Sequence, residues 1–460
     1  MSTATTYDVV ILGAGSGGYA TALRAAQLGL NVALVEAQKV GGTCLHRGCV
    51  PTKAMLHSAE VADLVREAAA VGVQASLTGF DIAKIAAHRD GVVARLHRGL
   101  TGLINARGIT VVYGVGQLAG SNTVVVGEQR LSGRHVVVAT GSRPKTLPDL
   151  PIAGHVITSD QALRLEWIPR SAIVLGGGVI GVEFASLWRS FGAQVTIVEA
   201  LDQLVSNEDA AISQALARSL KRRGITVKTS ARLDSVTDSD HGVHAVLADG
   251  TALDADLLLM AVGRAPNTEA IGLAEAGAQI DQAGYVVVDE QLRCSGNTLW
   301  AVGDITKGLQ LAHRGFAQGL AVAERIAGRS VPALVESNIP RVTFGDPEIV
   351  SVGLTEAQAL ASYSPGDVLV ETQTAGANAR SQTLGATGMV KLVALRDGPI
   401  VGVHLIGQRV SELVGEAQLL VNWEAQPSDL AGLIHAHPTQ SEMFGEAAQA
   451  LAGMPLHTHA

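Results

Sequence analysis

Tyr7-Asp8-Val9-Val10-Ile11-Leu12-Gly13-Ala14-Gly15-Ser16-Gly17-Gly18 reads as a buried strand running into a G-x-G-x-x-G turn and then an alanine-rich helix. A second strand, Asn31 to Val35, follows and ends at Glu36. Ser171-Ala172-Ile173-Val174-Leu175-Gly176-Gly177-Gly178-Val179-Ile180-Gly181 repeats the pattern, with a strand from Gln194 to Val198 ending at Glu199. Gly13, Gly15, Gly18, Gly29 and Glu36 recur as Gly176, Gly178, Gly181, Gly192 and Glu199, each displaced by 163 positions. In such a motif the first glycine makes the tight turn, the second lets the backbone approach a pyrophosphate, and the third allows close helix-to-strand packing. The phosphate charge lies against the helix amino terminus, and the terminal acid accepts hydrogen bonds from ribose hydroxyls. A lone glycine turn also suits plain packing; strand, helix and acid together point to a dinucleotide site, twice over.

Two sites imply two dinucleotides, and a flavin with a nicotinamide is the natural pair. Glu199 would repel a 2′-phosphate, and Ala200-Leu201-Asp202-Gln203 supplies no arginine to hold one. NAD is therefore expected rather than NADP.

Between the motifs runs Gly41-Gly42-Thr43-Cys44-Leu45-His46-Arg47-Gly48-Cys49-Val50-Pro51-Thr52-Lys53, which holds two of the 3 cysteines. Residues five apart on a regular helix are rotated by roughly 140° and lifted by about 7.5 Å, which misses the ~4.4 to 6.8 Å Cα separation of a disulfide. The chain must bend there, and Gly41, Gly42 and Gly48 permit it. A reactive redox pair is the leading expectation for such cysteine usage. Inert thiols stay open as an alternative. Zinc fits poorly, because four ligands are expected and Cys294 is the one further cysteine, so no metal is expected.

At 460 residues the chain has room for about three domains. Hydrophobic residues at 47% and charged residues at 17% fit a soluble α/β protein. An aromatic content of 3% and a net charge of -8 disfavour nucleic acid. No apolar run approaches a membrane span, and few residues precede the first strand, so no membrane and a cytoplasmic location are expected.

Arg134 to Pro144 and Asp256 to Pro266 each read as a buried strand entering a Gly, Arg and Pro turn, as if to close a sheet and deliver the chain to a domain crossing. Leu299-Trp300-Ala301-Val302-Gly303-Asp304 is another strand, with its carboxylate where ligands collect in open α/β sheets. From Ile339 the character changes to strands at 341–344, 388–395 and 400–406 and an amphipathic segment at 411–423, which suggests a separate α+β domain. His435-Ala436-His437-Pro438-Thr439-Gln440-Ser441-Glu442 stands near the end. Pro438 suits the first turn of a helix, with His437 in the loop before it and Glu442 able to raise an imidazole's basicity. Taken alone, the same residues are explained somewhat better by helix capping or surface polarity.

Together and in this order, Gly13 to Gly18, Gly41 to Lys53, Ala139-Thr140-Gly141, Gly176 to Glu183, Gly263-Arg264, Gly303-Asp304 and His435 to Glu442 resemble the flavin-dependent disulfide reductases, the class I pyridine nucleotide-disulfide oxidoreductases. The likeness covers nearly the whole chain and is closest to the branch that oxidises dihydrolipoamide for 2-oxoacid dehydrogenase complexes and the glycine cleavage system. It implies FAD and NAD as cofactors. It implies Cys44 as the thiol that meets substrate, Cys49 as the thiol beside the flavin, and Lys53 with Glu183 as an ion pair near the flavin. Gly13, Gly15, Gly18, Glu36, Gly114, Thr140, Gly141, Asp304 and Ala312 would then contact FAD, and Gly176, Gly178, Gly181, Glu199 and Gly263 would contact NAD. His437 and Glu442 would be a catalytic base and its orienter, reaching the disulfide of the other subunit of a homodimer.

The fold class implied is α/β, with two Rossmann-like dinucleotide-binding domains (FAD and NAD) and a C-terminal α+β dimerisation domain. Its limits would be 1–145 for the first part of the FAD domain, 146–269 for the NAD domain, 270–338 for the returning central part and 339–460 for dimerisation. Partners implied are lipoyl domains or the peripheral subunit-binding domain of 2-oxoacid dehydrogenase complexes. Two stretches depart from the family pattern: His46-Arg47 between the cysteines, and Arg314-Gly315-Phe316-Ala317-Gln318 in place of an acidic run. A reductase of another small disulfide, of mycothiol type, is the nearest enzymatic rival. A weakly active flavoprotein scaffold or redox sensor is the rival from another class.

Overall fold

The structure, a computed structural model, describes residues 5–457. Thr5–Leu12 forms the centre of an eight-stranded sheet because Val9, Val10 and Ile11 are all completely buried, the continuous apolar run of a strand covered on both faces. Each such side chain contributes roughly 1.5–3 kcal/mol by leaving water. Val32–Glu36 lies parallel on one side and Gln129–Val138 parallel on the other, with Leu12 level with both Val35 and Val138. Leu299–Ala301, from far along the chain, returns to this sheet parallel to Gln129–Val138.

A second sheet, of five parallel strands, is ordered Thr226–Lys228, Gln194–Val198, Ser171–Leu175, Leu257–Met260, Val156–Thr158. Ser142–Pro144 and Arg264–Pro266, the matching turns, pair with each other antiparallel as a two-stranded sheet, a pairing the sequence did not specify. Leu233–Ser239, Gly242–Leu247 and Ala252–Ala255 add a three-stranded antiparallel layer that the sequence did not announce. The C-terminal sheet is wholly antiparallel, ordered Arg341–Thr343, Glu348–Gly353, Ile400–Gly407, Met389–Leu395, Val368–Thr374, and carries Val414–Asn422 and Glu442–Leu451 against it. Its core joins Val350, Leu405 and Leu392 to Phe444 and Ala447 of the last helix.

Charged side chains tie these layers together. Arg223, after the helix Ala210–Arg222, donates to Asp63 (2.8 Å), to Ser190 (2.8 Å) and to the carbonyl of Asp346 (3.2 Å). Lys391 holds Asp209 and Glu356, each at 2.7 Å, and Arg341 meets Glu208 at 3.0 Å. Burial of such pairs is costly unless each partner is satisfied, and here each carboxylate has a cation within reach. Among the described residues no helix is long and apolar enough to cross a membrane.

Candidate active site

Both glycine turns have the same geometry, residue for residue. Gly13 and Gly176 adopt φ of +103° and +109°, and a Cβ there would lie 2.3 Å from the Ala139 carbonyl oxygen and 2.4 Å from that of Ala261. A Cβ on Gly18 or Gly181 would meet the carbonyl oxygen of Gly13 at 1.8 Å or of Gly176 at 2.0 Å, so helix and strand approach as closely as glycine permits. Around Gly178 a Cβ would meet nothing within 4 Å, and the nearest atom to one on Gly15 is 3.9 Å away. These second glycines cap the helices Val179–Ser190 and Ser16–Gln27, neither of which has a side-chain cap. Bare helix amino termini in open space suit an anion.

The acids repeat as well. Glu36 accepts from the amides of Ala14 (2.9 Å) and Gln38 (2.7 Å); Glu199 accepts from Gly177 (2.6 Å) and Leu201 (2.8 Å), the same offset again. Each carboxylate is fixed over its turn with lone pairs left for hydroxyl donors. One cavity of about 1100 Å³ is lined by parts of both motifs, above the usual ~300–1,000 Å³ of a small-molecule pocket. These residues therefore fit two dinucleotides.

The cysteine segment is brought to the first turn by glycine contacts. Gly41 and Gly42 have φ of +112° and +63°, and a Cβ on Gly42 would lie 2.5 Å from the Gly15 Cα. Helix Gly42–Arg47 carries Cys44, the chain breaks at Gly48, and Cys49 opens the next helix, Cys49–Glu67. The bend demanded by the spacing is thus present. Both thiols line the cavity. A hydrogen bond from Cys44 pulls the Cys49 thiol down to about 7, against burial and with help from the Lys53 ammonium. The same bond and burial push Cys44 up. The two thiols are thus made unequal, with Cys49 the more acidic.

One helical turn on from Cys49, Lys53 reaches both oxygens of Glu183 at 2.7 and 2.8 Å. Glu183 is only 4% exposed and also accepts from the Phe344 amide at 3.0 Å. Gly263, Asp304 and Ala312 line the same cavity, as do Gly15, Gly141, Gly176, Gly178 and Glu199. Gly13, Gly18 and Gly181 lie beneath the turns, while Thr140 instead bonds Asn267 across the domain crossing at 2.7 Å. Gly114 stands beside the end of Glu36, with its amide 2.9 Å from the Glu36 carbonyl.

His437 and Glu442 are not among the cavity's lining residues. His437 Nδ1 lies 2.8 Å from Glu442 Oε1, and Glu442 Oε2 accepts from the Thr439 amide at 2.8 Å. Although burial opposes it, that amide and the His437 ring hold the Glu442 carboxyl below the usual range. With Nδ1 so engaged, Nε2 of an imidazole whose side chain is 71% exposed is left free to take a proton. Pro438 does not open a helix, contrary to expectation: the last helix is Glu442–Leu451, because Glu442 itself satisfies the loop before it. His435 is instead an anchor, 3.0 Å from Glu416.

Several participants were not foreseen. Ser142 donates to Asp304 at 2.6 Å and accepts from Arg264 at 2.7 Å, and both follow glycines that were singled out. The departure at Arg314 to Gln318 is structural: Arg314, 3% exposed, meets Glu336 and the Lys307 carbonyl, and Gln318 accepts from the Gly303 amide at 2.7 Å, fixing the turn that presents Asp304. His46 is 2.8 Å from the Val40 carbonyl, while Arg47 lines the cavity and approaches Asp160 at 3.8 Å. Arg232 joins the wall beyond Glu199, so an arginine is present in that compartment although residues 200–203 lack one. Cys294 stands apart, its thiol pushed up to about 12 by burial.

Comparison with known proteins adds a lineage to this geometry. Residues 7–319 match the family model described as pyridine nucleotide-disulphide oxidoreductase, and residues 339–448 match its dimerisation domain. The dihydrolipoyl dehydrogenase of Bacillus subtilis is 39% identical over 99% of this chain and 100% of its own length. That of Thermus scotoductus is 36% identical, covering 98% and 99%. Among solved structures, LpdA from Mycobacterium tuberculosis superposes with a TM-score of 0.89 at 28% identity over 97% of this chain and 99% of that one. The HOCl-induced flavoprotein disulfide reductase RclA from Escherichia coli gives 0.87 at 27% identity, covering 96% and 99%.

Proposed function

This chain belongs to the pyridine nucleotide-disulphide oxidoreductases, and on that premise we propose that it oxidises protein-bound dihydrolipoamide to lipoamide with reduction of NAD+ to NADH, the activity its relatives are named for. It is an FAD- and NAD-dependent oxidoreductase, and its dimerisation domain makes it a homodimer. The observation that carries the reading is the Cys44–Cys49 pair, with the Lys53–Glu183 ion pair beside it, in one cavity shared by both dinucleotide turns. Bound FAD supplies a two-electron carrier between thiolate and nicotinamide, with NAD as the final acceptor.

Each remaining step falls to a side chain. His437 Nε2 takes a proton from a substrate thiol, and Glu442 holds the ring and the charge it gains. The substrate thiolate attacks Cys44 Sγ of the oxidised pair, the S–S bond breaks, and Cys49 leaves as thiolate. The second substrate thiol displaces Cys44, closing the cyclic disulfide and completing a two-electron transfer from dithiol to cysteine pair. Cys49, at a helix amino terminus and near Lys53, is built to hold the resulting anion. Because His437 lies on the C-terminal unit outside the cavity, the proton acceptor comes from the second copy of the chain; Ile434, 100% exposed beside it, supplies apolar surface for that copy to cover.

Lipoyl domains and a peripheral subunit-binding domain of a 2-oxoacid dehydrogenase complex are the macromolecular partners of this reading, and the cytoplasm, whose reducing poise suits cycling thiols, is its compartment. The residue roles and the unit limits 1–145, 146–269, 270–338 and 339–460 are part of the same proposal. Steady-state assays with dihydrolipoamide and either NAD+ or NADP+, beside NADH-driven reduction of glutathione disulfide and mycothiol disulfide, test it. Dihydrolipoamide with NAD+ should be preferred by at least ~100-fold in kcat/KM, the discrimination that one small group more or less brings in a fitted pocket. Faster turnover of mycothiol disulfide would assign the site to the other substrate.

A further inference from the structure

Phe344 lies one residue beyond the strand Arg341–Thr343 of the C-terminal sheet, yet it lines the cavity that holds the cysteine pair. Its ring centroid is 4.7 Å from Lys53 Nζ, and its amide donates to Glu183 Oε1 at 3.0 Å. Both members of the ion pair are therefore held by one residue from a third part of the chain. Its backbone has little freedom: a Cβ on Gly345 would meet Val182 at 3.1 Å and Ser186 at 3.2 Å, and the Asp346 amide donates to Ser186 at 3.2 Å. On the other side Arg341 is clamped by Glu208 at 3.0 and 3.3 Å.

We propose that Phe344 is a positioning residue of the redox centre: its ring face receives the Lys53 ammonium and its amide fixes Glu183, so that the cation stays directed at Cys49. A flexible lysine with one carboxylate partner could swing about it; a second, apolar partner on another side defines one direction. Lys53 lowers the Cys49 thiol and Glu183 raises it, so their placement decides how far the thiolate is favoured. The other groups facing Cys49 are Cys44 from its own segment, Tyr19 from the helix of the first glycine turn and Arg264 from the crossing strand. None of these touches Phe344 through a hydrogen bond among the described residues.

The inference rests on the assignment of Cys49 as the flavin-side thiol, and its test separates the two. The long-wavelength absorbance of the two-electron-reduced holoenzyme, titrated against pH, reads the Cys49 thiolate. Phe344→Leu keeps the backbone amide and most of the volume but removes the ring face, whereas Phe344→Tyr keeps the face. The midpoint is expected to move up by roughly 0.5 pH unit in Phe344→Leu, a fraction of a cation–π contact, and to stay in place in Phe344→Tyr. In a Lys53→Met background Phe344→Leu should produce no further shift. If Phe344→Leu does not fold, Phe344→Met takes its place with the same expectation. An unmoved midpoint in the leucine or methionine variant, or an equal shift in the tyrosine variant, overturns the role of the ring. A wild-type enzyme with no such absorbance overturns the Cys49 assignment itself.

Discussion

Cys49 draws its reactivity from three neighbours that sequence places near it: Cys44 five residues before, Lys53 four residues after, and the amino terminus of its own helix. Because its thiol is lowered to about 7, rising pH converts it to thiolate through that value, and the anion is lost below it. The reduced holoenzyme should therefore show long-wavelength absorbance that grows with pH through a midpoint of about 7. Cys49→Ser should abolish the absorbance, and its persistence there would exclude Cys49 as donor. At this scale the sequence was highly legible, since spacing alone demanded the bend now seen at Gly48. Phe344, Arg314 and Gln318 were not legible, because their partners Lys53, Glu336 and Gly303 are distant in sequence or hidden by packing.

At the level of elements, strand, turn and helix divide one job between three glycines. Gly181 leaves no space for a side chain and Gly178 leaves ample space, which separates packing from ligand approach. Gly181→Ala should cost about 1–3 kcal/mol of stability by overpacking, read as a lower thermal midpoint. Gly178→Ala should leave that midpoint within about 0.5 kcal/mol of wild type, as substitutions away from packed features do, while weakening NAD binding and retaining FAD. Equal stability losses in both variants would refute this division. The repeated turn was readable because it is local chemistry. The helix Ile82–Ala106 was not read: Gly91, Gly99 and Gly102 lower its propensity and it fully buries only Ile104, although Ile82, Ile85, Val92, Leu96, Leu100 and Leu103 recur at helical spacing. The strand Leu233–Ser239 is mostly exposed and quiet.

On the scale of the whole molecule, the cavity gathers the cysteines and both dinucleotide turns but not His437. Sequence order gave these residues no distances; the helix that opens with Glu442 packs on the antiparallel C-terminal sheet. On the proposed reading a second copy closes the site. The decisive measurement mixes two inactive homodimers, Cys44→Ser and His437→Gln, through reversible dissociation and records dihydrolipoamide-dependent NAD+ reduction. Each parent alone should be slower than wild type by at least ~100-fold, the lower range for loss of a general base or more. In reassorted hybrids one site combines both substitutions and the other combines neither, so about a quarter of wild-type activity should return. No recovery, despite hybrids being present, would mean that thiol and base do not meet across two copies and would contradict the assembly of the site.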